Sequence, residues 1–150
     1  MEKQLIKTFE FGVAKNGGTV WLLPEINTLL TEWKGDVLLE EWIEILSWQL
    51  EEIKTRKVSG AIGDTTNLGP TGEDHDRWVQ ETYLAKIVKA GLKKLAIVLP
   101  NDALGEMAMQ ELIDNMKNNK TANNSALQIN YVKDIEEAVQ WMKSKNNSIM

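Results

Sequence analysis

The chain has 150 residues, a formal net charge of −5 at pH 7 and no cysteine. This length is typical of a single domain with a well-formed core, and a chain without cysteine has no disulfides, thiolate metal sites or cysteine nucleophiles. The negative charge argues against nucleic-acid binding, because such binding depends on Lys and Arg neutralising phosphates.

The first ten residues mix charged and apolar side chains and lack the continuous apolar stretch of a signal peptide. No apolar run approaches the roughly 20 residues that a membrane-spanning helix needs. We therefore expect one soluble domain, 1–150, located in the cytoplasm, with no membrane span.

The first part of the chain is predicted to be a β-hairpin followed by a third strand. Residues 4–14 alternate apolar and polar side chains, which indicates a strand. Residues 16–18 are a turn signal and 19–23 are the returning strand. The next segment, 26–33, fits a helix stripe or a strand, and we favour the strand.

The first clear helix is predicted over 37–57, with Asp36 as its N-cap. One apolar stripe of this helix should face the core. That stripe comprises Leu39, Trp42, Ile43, Leu46, Leu50 and Ile53. Ile45 and Trp48 lie off the stripe and are neighbours on the helix surface. Either the buried face is broad, or these two residues form an interface for self-association.

Residues 58–100 have the pattern of one βαβ unit. In order, they are the strand 58–64, the loop 65–72, the helix 73–90 and the apolar strand 95–99. Thr71 is the predicted cap of the helix and Gly91 its stop. The continuous apolar run of the last strand is typical of a central parallel strand that is covered on both faces.

The last third of the chain is predicted to add two helices and one strand. Asp102 caps a third helix with Leu104, Ala108, Leu112 and Met116 on its core face. Three further segments follow: a mobile Asn-rich loop 117–125, a strand 127–132 and a frayed tail 144–150. Asp134 and Glu137 form a capping box for the last helix, which lies before the tail.

These elements predict an α/β fold with a mixed sheet of about five to six strands and four helices. An N-terminal antiparallel hairpin precedes the βαβ units. Ligands of such open sheets bind outside the carboxyl ends of the strands. The candidate ligand-binding residues at that rim are Asp64, Thr65, Thr66, Asn67, Asn101 and Asp102.

Several segments resemble the STAS-like domain family, which is related in fold to bacterial anti-sigma-factor antagonists and more loosely to lipid carriers of the CRAL-TRIO type. They are W-K-G at 33–35, G-D-T-T-N at 63–67, the long segment 78–100 and Y-V-K-D-I-E-E-A-V-Q-W-M at 131–142. The resemblance covers roughly 29–142 and is strongest to a little-characterised bacterial subgroup. It implies a STAS-like sheet and a regulatory role.

The well-understood members of that family are switched by phosphorylation of a serine in an Asp-Ser pair at a helix start. The corresponding region here, 64–73, contains Thr65, Thr66 and Thr71 but no serine. Glu73 and the acids that follow it would repel a phosphate at this position. The resemblance therefore does not extend to this switch, and the sequence does not decide whether these threonines are modified.

Few residues suggest catalysis. His75 is the single histidine, and we expect it on the solvent-facing first turn of a helix. The phosphate-binding loops of nucleotide enzymes are absent from the sequence. Asp64 and Asp102 follow neighbouring strands and could form a carboxylate pair, although acids at such positions also cap helices and turns. We predict no enzyme activity, no cofactor and no metal site.

Three functional hypotheses follow. The first is a non-enzymatic STAS-like module that contacts a protein partner or itself as a homodimer, through Ile45 and Trp48 or an edge strand. The second is a carrier or sensor of a small apolar, lipid-like ligand, with a pocket of several hundred Å³. Its pocket candidates are Trp78, Tyr83, Met107 and Met109. The third is a hydrolase that uses Asp64 and Asp102.

Overall fold

A computed structural model describes residues 1–144. Six strands form one sheet in the order of the chain: β1 (Gln4–Phe11), β2 (Asn16–Leu23), β3 (Thr28–Gly35), β4 (Gly60–Leu68), β5 (Lys94–Val98) and β6 (Gln128–Val132). The pairs β1–β2 and β2–β3 are antiparallel, and β3 to β6 are parallel. The α/β class, the mixed sheet and the N-terminal antiparallel hairpin are therefore as predicted.

The helices are α1 (Leu39–Arg56), α2 (Glu73–Trp78), α3 (Leu84–Lys89), α4 (Ala103–Lys117), α5 (Lys120–Asn123) and α6 (Ile135–Lys143). A π-helical turn, Val79–Tyr83, joins α2 and α3 into one continuous helical segment. The four long helical segments expected from the sequence are present. Within residues 1–144, no helix has the length and apolar composition needed to cross a membrane.

The helices cover the two faces of the sheet unequally. Because β3 to β6 follow one another in the sheet, right-handed crossovers place α1, the α2–α3 segment and α4 on the same face. The larger core lies between these helices and the sheet. The last helix, α6, covers part of the opposite face, where Ala138 belongs to a smaller core together with Ile62 and Ala96. The larger core is where an internal site could be enclosed.

The first strand is shorter than predicted and its apolar pattern is interrupted. It ends at Phe11, and the hairpin turn lies at 12–15 instead of 16–18. The register shifts between Leu5 and Lys7. Leu5 therefore leaves the core face, and its side chain is exposed. A shift of one residue exchanges the two faces of a strand. The ambiguous segment 26–33 contributes to β3, so the strand interpretation is confirmed.

The first helix starts two residues later than predicted, and Asp36 is not its cap. The Glu41 carboxylate accepts a hydrogen bond from the Leu38 amide at 3.0 Å and closes the first turn. The buried face is broad: it includes Gln49 and Ile45, which is 0% exposed. Ile45 is therefore not part of a surface interface, and for this residue the structure supports the first of the two alternatives, a broad buried face.

The fourth strand is longer than predicted. It runs to Leu68 because β3 continues beside it and pairs Lys34 with Asn67 and Gly35 with Leu68. The loop is reduced to 69–72, and the residue before α2 is Gly72, not Thr71. Residues 65–67 are consequently strand residues and not loop residues.

The region after β5 follows the capping signals closely. Asp102 caps α4, since its Oδ1 accepts from the Gly105 amide at 2.6 Å. Asp134 caps α6 in the same way, with 2.8 Å to the Glu137 amide. Gly91, with φ of +89°, follows α3 as predicted. Local side-chain chemistry decides these boundaries.

Two predictions in this region are wrong. Leu104 and Ala108 are exposed, and the buried face of α4 is carried by Met109, Leu112, Ile113 and Met116. The Asn-rich segment 117–125 contains α5, with Ala122 buried against the core. Asn119 caps this short helix by accepting from the Thr121 amide. The predicted tail, 144–150, lies outside the described residues except for Ser144.

Candidate functional site

The two predicted rim carboxylates serve the local backbone. Asp64 is paired in the sheet with Val98, the last residue of β5. Its Oδ1 accepts from the Thr66 amide at 3.0 Å and from the Thr66 hydroxyl at 2.6 Å. Asp102 caps α4. These bonds explain both acids as structural groups, as Asx-type turns and caps commonly are.

The other predicted rim residues do not converge on one point. Thr65 is buried, and its hydroxyl donates to the backbone oxygen of Val98 at 2.5 Å. Asn67 and Asn101 are exposed. Alternation along β4 turns Thr65 toward the helix layer, away from the rim, so the predicted set is divided between the interior and the surface.

The candidate site is instead an internal cavity of about 60 Å³ between the sheet and its helix layer. The sheet side of the cavity is formed by Thr31, Trp33, Gly63, Thr65, Leu95 and Ile97. The helix side includes Trp42, Gln49, Val79, Tyr83, Met109 and Met116. Three strands and three helical segments thus meet around one partly open space.

Gly63 leaves the space open. It lies in the middle of β4, opposite Thr31 of β3. A Cβ atom at this position would lie 3.0 Å from Ile97 Cδ1 and 3.7 Å from Trp33 Nε1. An alanine methyl group at this position would therefore crowd Ile97 and take up part of the space that both residues line. Glycine within a strand often marks a site where a ligand or another part of the backbone approaches closely.

Aromatic rings form much of the wall. The rings of Trp33 and Trp42 are tilted against each other, with centroids 4.7 Å apart. Tyr83 stacks on Trp78, whose ring is half-buried behind it, at 5.6 Å. Such pairs add about 0.5–1.5 kcal/mol each beyond area burial. The wall is therefore held in place by packing on its outer side.

The π-helical turn supplies two of the lining residues, Val79 and Tyr83. A π-turn inserts an extra residue into the helical repeat and rotates the side chains that follow it. Isolated π-turns inside helices occur frequently at functional sites. Here the π-helical turn forms part of the cavity wall, which supports the cavity as the candidate functional site.

Two buried polar atoms of the cavity wall have no hydrogen-bond partner among residues 1–144. They are the hydroxyl of Thr31, which is fully buried, and the indole Nε1 of Trp42. Each such group costs about 1–3 kcal/mol when it is left unsatisfied. Native folds rarely leave buried polar groups unpaired unless water or a ligand pairs with them.

The hydroxyl of Tyr83 belongs to the same wall and makes no hydrogen bond within the described part of the chain. Burial raises the pKa of this hydroxyl, because the apolar surroundings disfavour the charged phenolate. Tyr83 therefore stays protonated over the physiological range. It is a neutral polar group in the cavity and not a general base.

The burial of Tyr83 predicts a loss of stability at alkaline pH. In the unfolded chain a tyrosine loses its proton near pH 10, whereas the folded chain keeps the proton to higher pH, so stability should fall above about pH 10 by up to roughly 1.4 kcal/mol per unit. Tyr83→Phe should lose less stability between neutral and strongly alkaline pH than the wild type. Urea unfolding at neutral and at strongly alkaline pH measures the free energy of unfolding of the two proteins. An equal loss of stability in the wild type and in Tyr83→Phe would contradict the prediction.

The pocket and interface candidates have different outcomes. Tyr83 and Met109 line the cavity. Met107 is 65% exposed on α4 and cannot line it. Trp78 supports Tyr83 from behind. Trp48 is half-buried and packs edge-on against Phe9 at 5.4 Å, and a protein contact through it stays a prediction.

The cavity is too small for the lipid-like ligand of the second hypothesis. Pockets for drug-sized ligands measure about 300–1,000 Å³, whereas this one holds about 60 Å³. Because one molecule of liquid water takes up roughly 30 Å³, the cavity has room for a few water molecules. A ligand of the cavity in this form has only a few non-hydrogen atoms.

His75, predicted on a solvent-facing helical turn, is half-buried. Its Nε2 lies 2.8 Å from the backbone oxygen of Val37, and its Nδ1 lies 3.4 Å from the Gly72 amide. The ring packs edge-on against Trp42 at 5.3 Å. His75 therefore joins the start of α2 to the segment before α1 and supports the cavity wall from outside.

Sequence reasoning missed Thr31, Trp42 and Gly63 as site residues. Two signals were present in the sequence. Thr31 is a polar residue at an inward position between Leu29 and Trp33, and Gly63 is a glycine within a strand. Trp42 gave no signal of its own, because a tryptophan on the apolar stripe of a helix is usually core.

No family model matches the chain, and no curated protein matches it in sequence. Among solved structures, the chain is similar to an uncharacterized protein of the DUF3478 family with a SpoIIAA-like fold from Shewanella loihica PV-4. The two share 16% sequence identity and a TM-score of 0.49, over 95% of this chain and 96% of that one. A likeness at this level says nothing of activity, so the function has to be argued from the cavity.

Proposed function

We propose that this chain is a non-enzymatic STAS-like regulatory module whose signal is a small molecule held in the internal cavity. The observation that carries the proposal is the pair of buried, unpartnered polar atoms in the cavity wall, Thr31 Oγ1 and Trp42 Nε1. A ligand that pairs with them would recover the free energy that they cost when they are unsatisfied.

The chemistry of the wall supports binding over catalysis. Tyr83 is the one titratable group among the lining residues, and burial raises its pKa. General acid–base catalysis needs a group with a pKa near the working pH, and a buried neutral tyrosine does not meet this requirement. The rim carboxylates are occupied by local hydrogen bonds.

A bound molecule could influence the rest of the protein through the elements that form the wall. The cavity touches α1, the π-helical turn and α4, which are three of the helical segments on one face of the sheet. A ligand changes a protein only as far as it binds one conformation better than another. Packing of these segments is therefore the property that we expect binding to alter.

Xenon tests whether the cavity admits a small molecule, since it occupies cavities of this kind without hydrogen bonds. We expect ¹²⁹Xe chemical shifts to reveal a binding site in the wild type that is weakened by Gly63→Ala, whose methyl group fills the space. Gly72→Ala is the matched control, because a Cβ there meets no atom within 4 Å. Equal xenon binding by all three proteins would exclude the cavity as the site.

A further inference from the structure

The geometry points to a ligand class for the cavity: a small uncharged molecule that carries one hydrogen-bond acceptor on an apolar body. This inference rests on the proposed function, because it concerns the same cavity. The charge of the lining, the type of the unpartnered groups and the available volume together define this class.

The lining excludes a charged ligand. The residues around the cavity, all within 1–144, include no Asp, Glu, Lys, Arg or His. Transfer of an isolated carboxylate or ammonium group into such surroundings is very costly without an ion partner.

The unpartnered groups select an acceptor. An indole N–H can only donate a hydrogen bond, and a hydroxyl can donate one as well. Trp42 and Thr31 therefore offer two donors. A carbonyl-type oxygen has two lone pairs and accepts two such bonds. A hydrocarbon of the same shape would leave both donors unsatisfied.

The remaining wall selects an apolar body of small size. Leu46, Leu95, Met109, Leu112 and Met116 surround the polar groups. A cavity of about 150 Å³ accommodates benzene, so the 60 Å³ found here corresponds to about two or three non-hydrogen atoms on that scale, and a four-atom ligand requires the wall to expand. Methionine side chains are unbranched and adapt to irregular gaps, which allows a modest change of shape.

Acetone and 2-methylpropene are suitable probes, because they have nearly the same shape and differ in the acceptor oxygen. We expect acetone at millimolar concentrations to shift one indole N–H resonance in ¹H–¹⁵N spectra. Absence of that resonance from Trp42→Phe assigns it. We expect 2-methylpropene to bind at least about tenfold more weakly, because one ordinary hydrogen bond supplies roughly that factor and acetone would accept two.

Thr31→Val provides a second variant that does not depend on the tryptophan. It should weaken acetone binding and leave binding of 2-methylpropene unchanged. Thr28→Val is its control, because Thr28 lies on the same strand, is equally buried and does not line the cavity.

The possible results distinguish an incorrect ligand class from an incorrect binding site. Equal binding of the two probes, or acetone binding that survives Thr31→Val unchanged, would overturn the ligand class while leaving the cavity as the site. Absence of binding by acetone, 2-methylpropene and xenon alike would overturn the proposed function itself. Preference for acetone that requires both Trp42 and Thr31 supports the inference.

Discussion

Ile45→Ala is expected to lower the free energy of unfolding by about 2–5 kcal/mol, the usual cost of truncating a fully buried isoleucine. Ile45 is 0% exposed and lies in the larger core between α1 and the sheet. The cost has two parts, the lost transfer free energy of the removed methyl and methylene groups and the cavity that they leave behind.

Leu104→Ala is the matched control, since it also truncates an aliphatic helix residue but one that is 81% exposed. Its effect should stay within about 0.5 kcal/mol. Urea unfolding gives both stabilities, and sedimentation velocity shows whether association changes. A stable Ile45→Ala protein with altered self-association would mean that Ile45 is at an interface and that the packing described for α1 is incorrect.

Two threonine substitutions on β3 are expected to change the free energy of unfolding in opposite directions. Thr31→Val should raise the free energy of unfolding of the ligand-free protein by about 1–2 kcal/mol, because it removes a buried hydroxyl that has no partner. Thr28→Val should lower the stability by about 1–2 kcal/mol, because it removes the hydrogen bond from the Thr28 hydroxyl to the Ile26 oxygen at 2.8 Å.

These two threonines make a controlled comparison. Both lie in β3, both are 0% exposed, and both substitutions replace a hydroxyl by a methyl group. They point to opposite faces of the strand, and their hydroxyls differ in the presence of a protein partner. Equal destabilisation by the two substitutions would indicate that the Thr31 hydroxyl is paired in the folded protein, and the argument for a ligand would lose its basis.

Much of the fold could be predicted because its signals are local or periodic. The apolar run before Leu99 indicates a covered parallel strand, and Asp102 and Asp134 mark helix starts by their own hydrogen bonds. The errors occur where a distant partner decides. Residues 65–67 join β4 because β3 extends beside them, and Leu5 is exposed because of a register shift.

The site was less predictable, because a cavity is a property of many residues together. The rim prediction relied on a rule for open sheets, but Asp64 and Asp102 were already engaged with neighbouring amides. The cavity arises where Gly63 on the sheet faces Trp42 and Tyr83 on the helices. These residues are 20 or so positions apart, and no short motif connects them. The inward-facing Thr31 was the clearest signal that could have been used.

The decisive measurement for ligand binding in the cavity is the ligand-linked stability of Thr31→Val compared with that of the wild type. A ligand that binds only the folded state raises the free energy of unfolding by RT ln(1 + [L]/Kd). Urea unfolding with and without acetone should show that acetone stabilises the wild type, whereas Thr31→Val starts more stable and gains much less. An equal gain in both proteins, or none in the wild type, would contradict the claim that the cavity binds through its unpartnered donors.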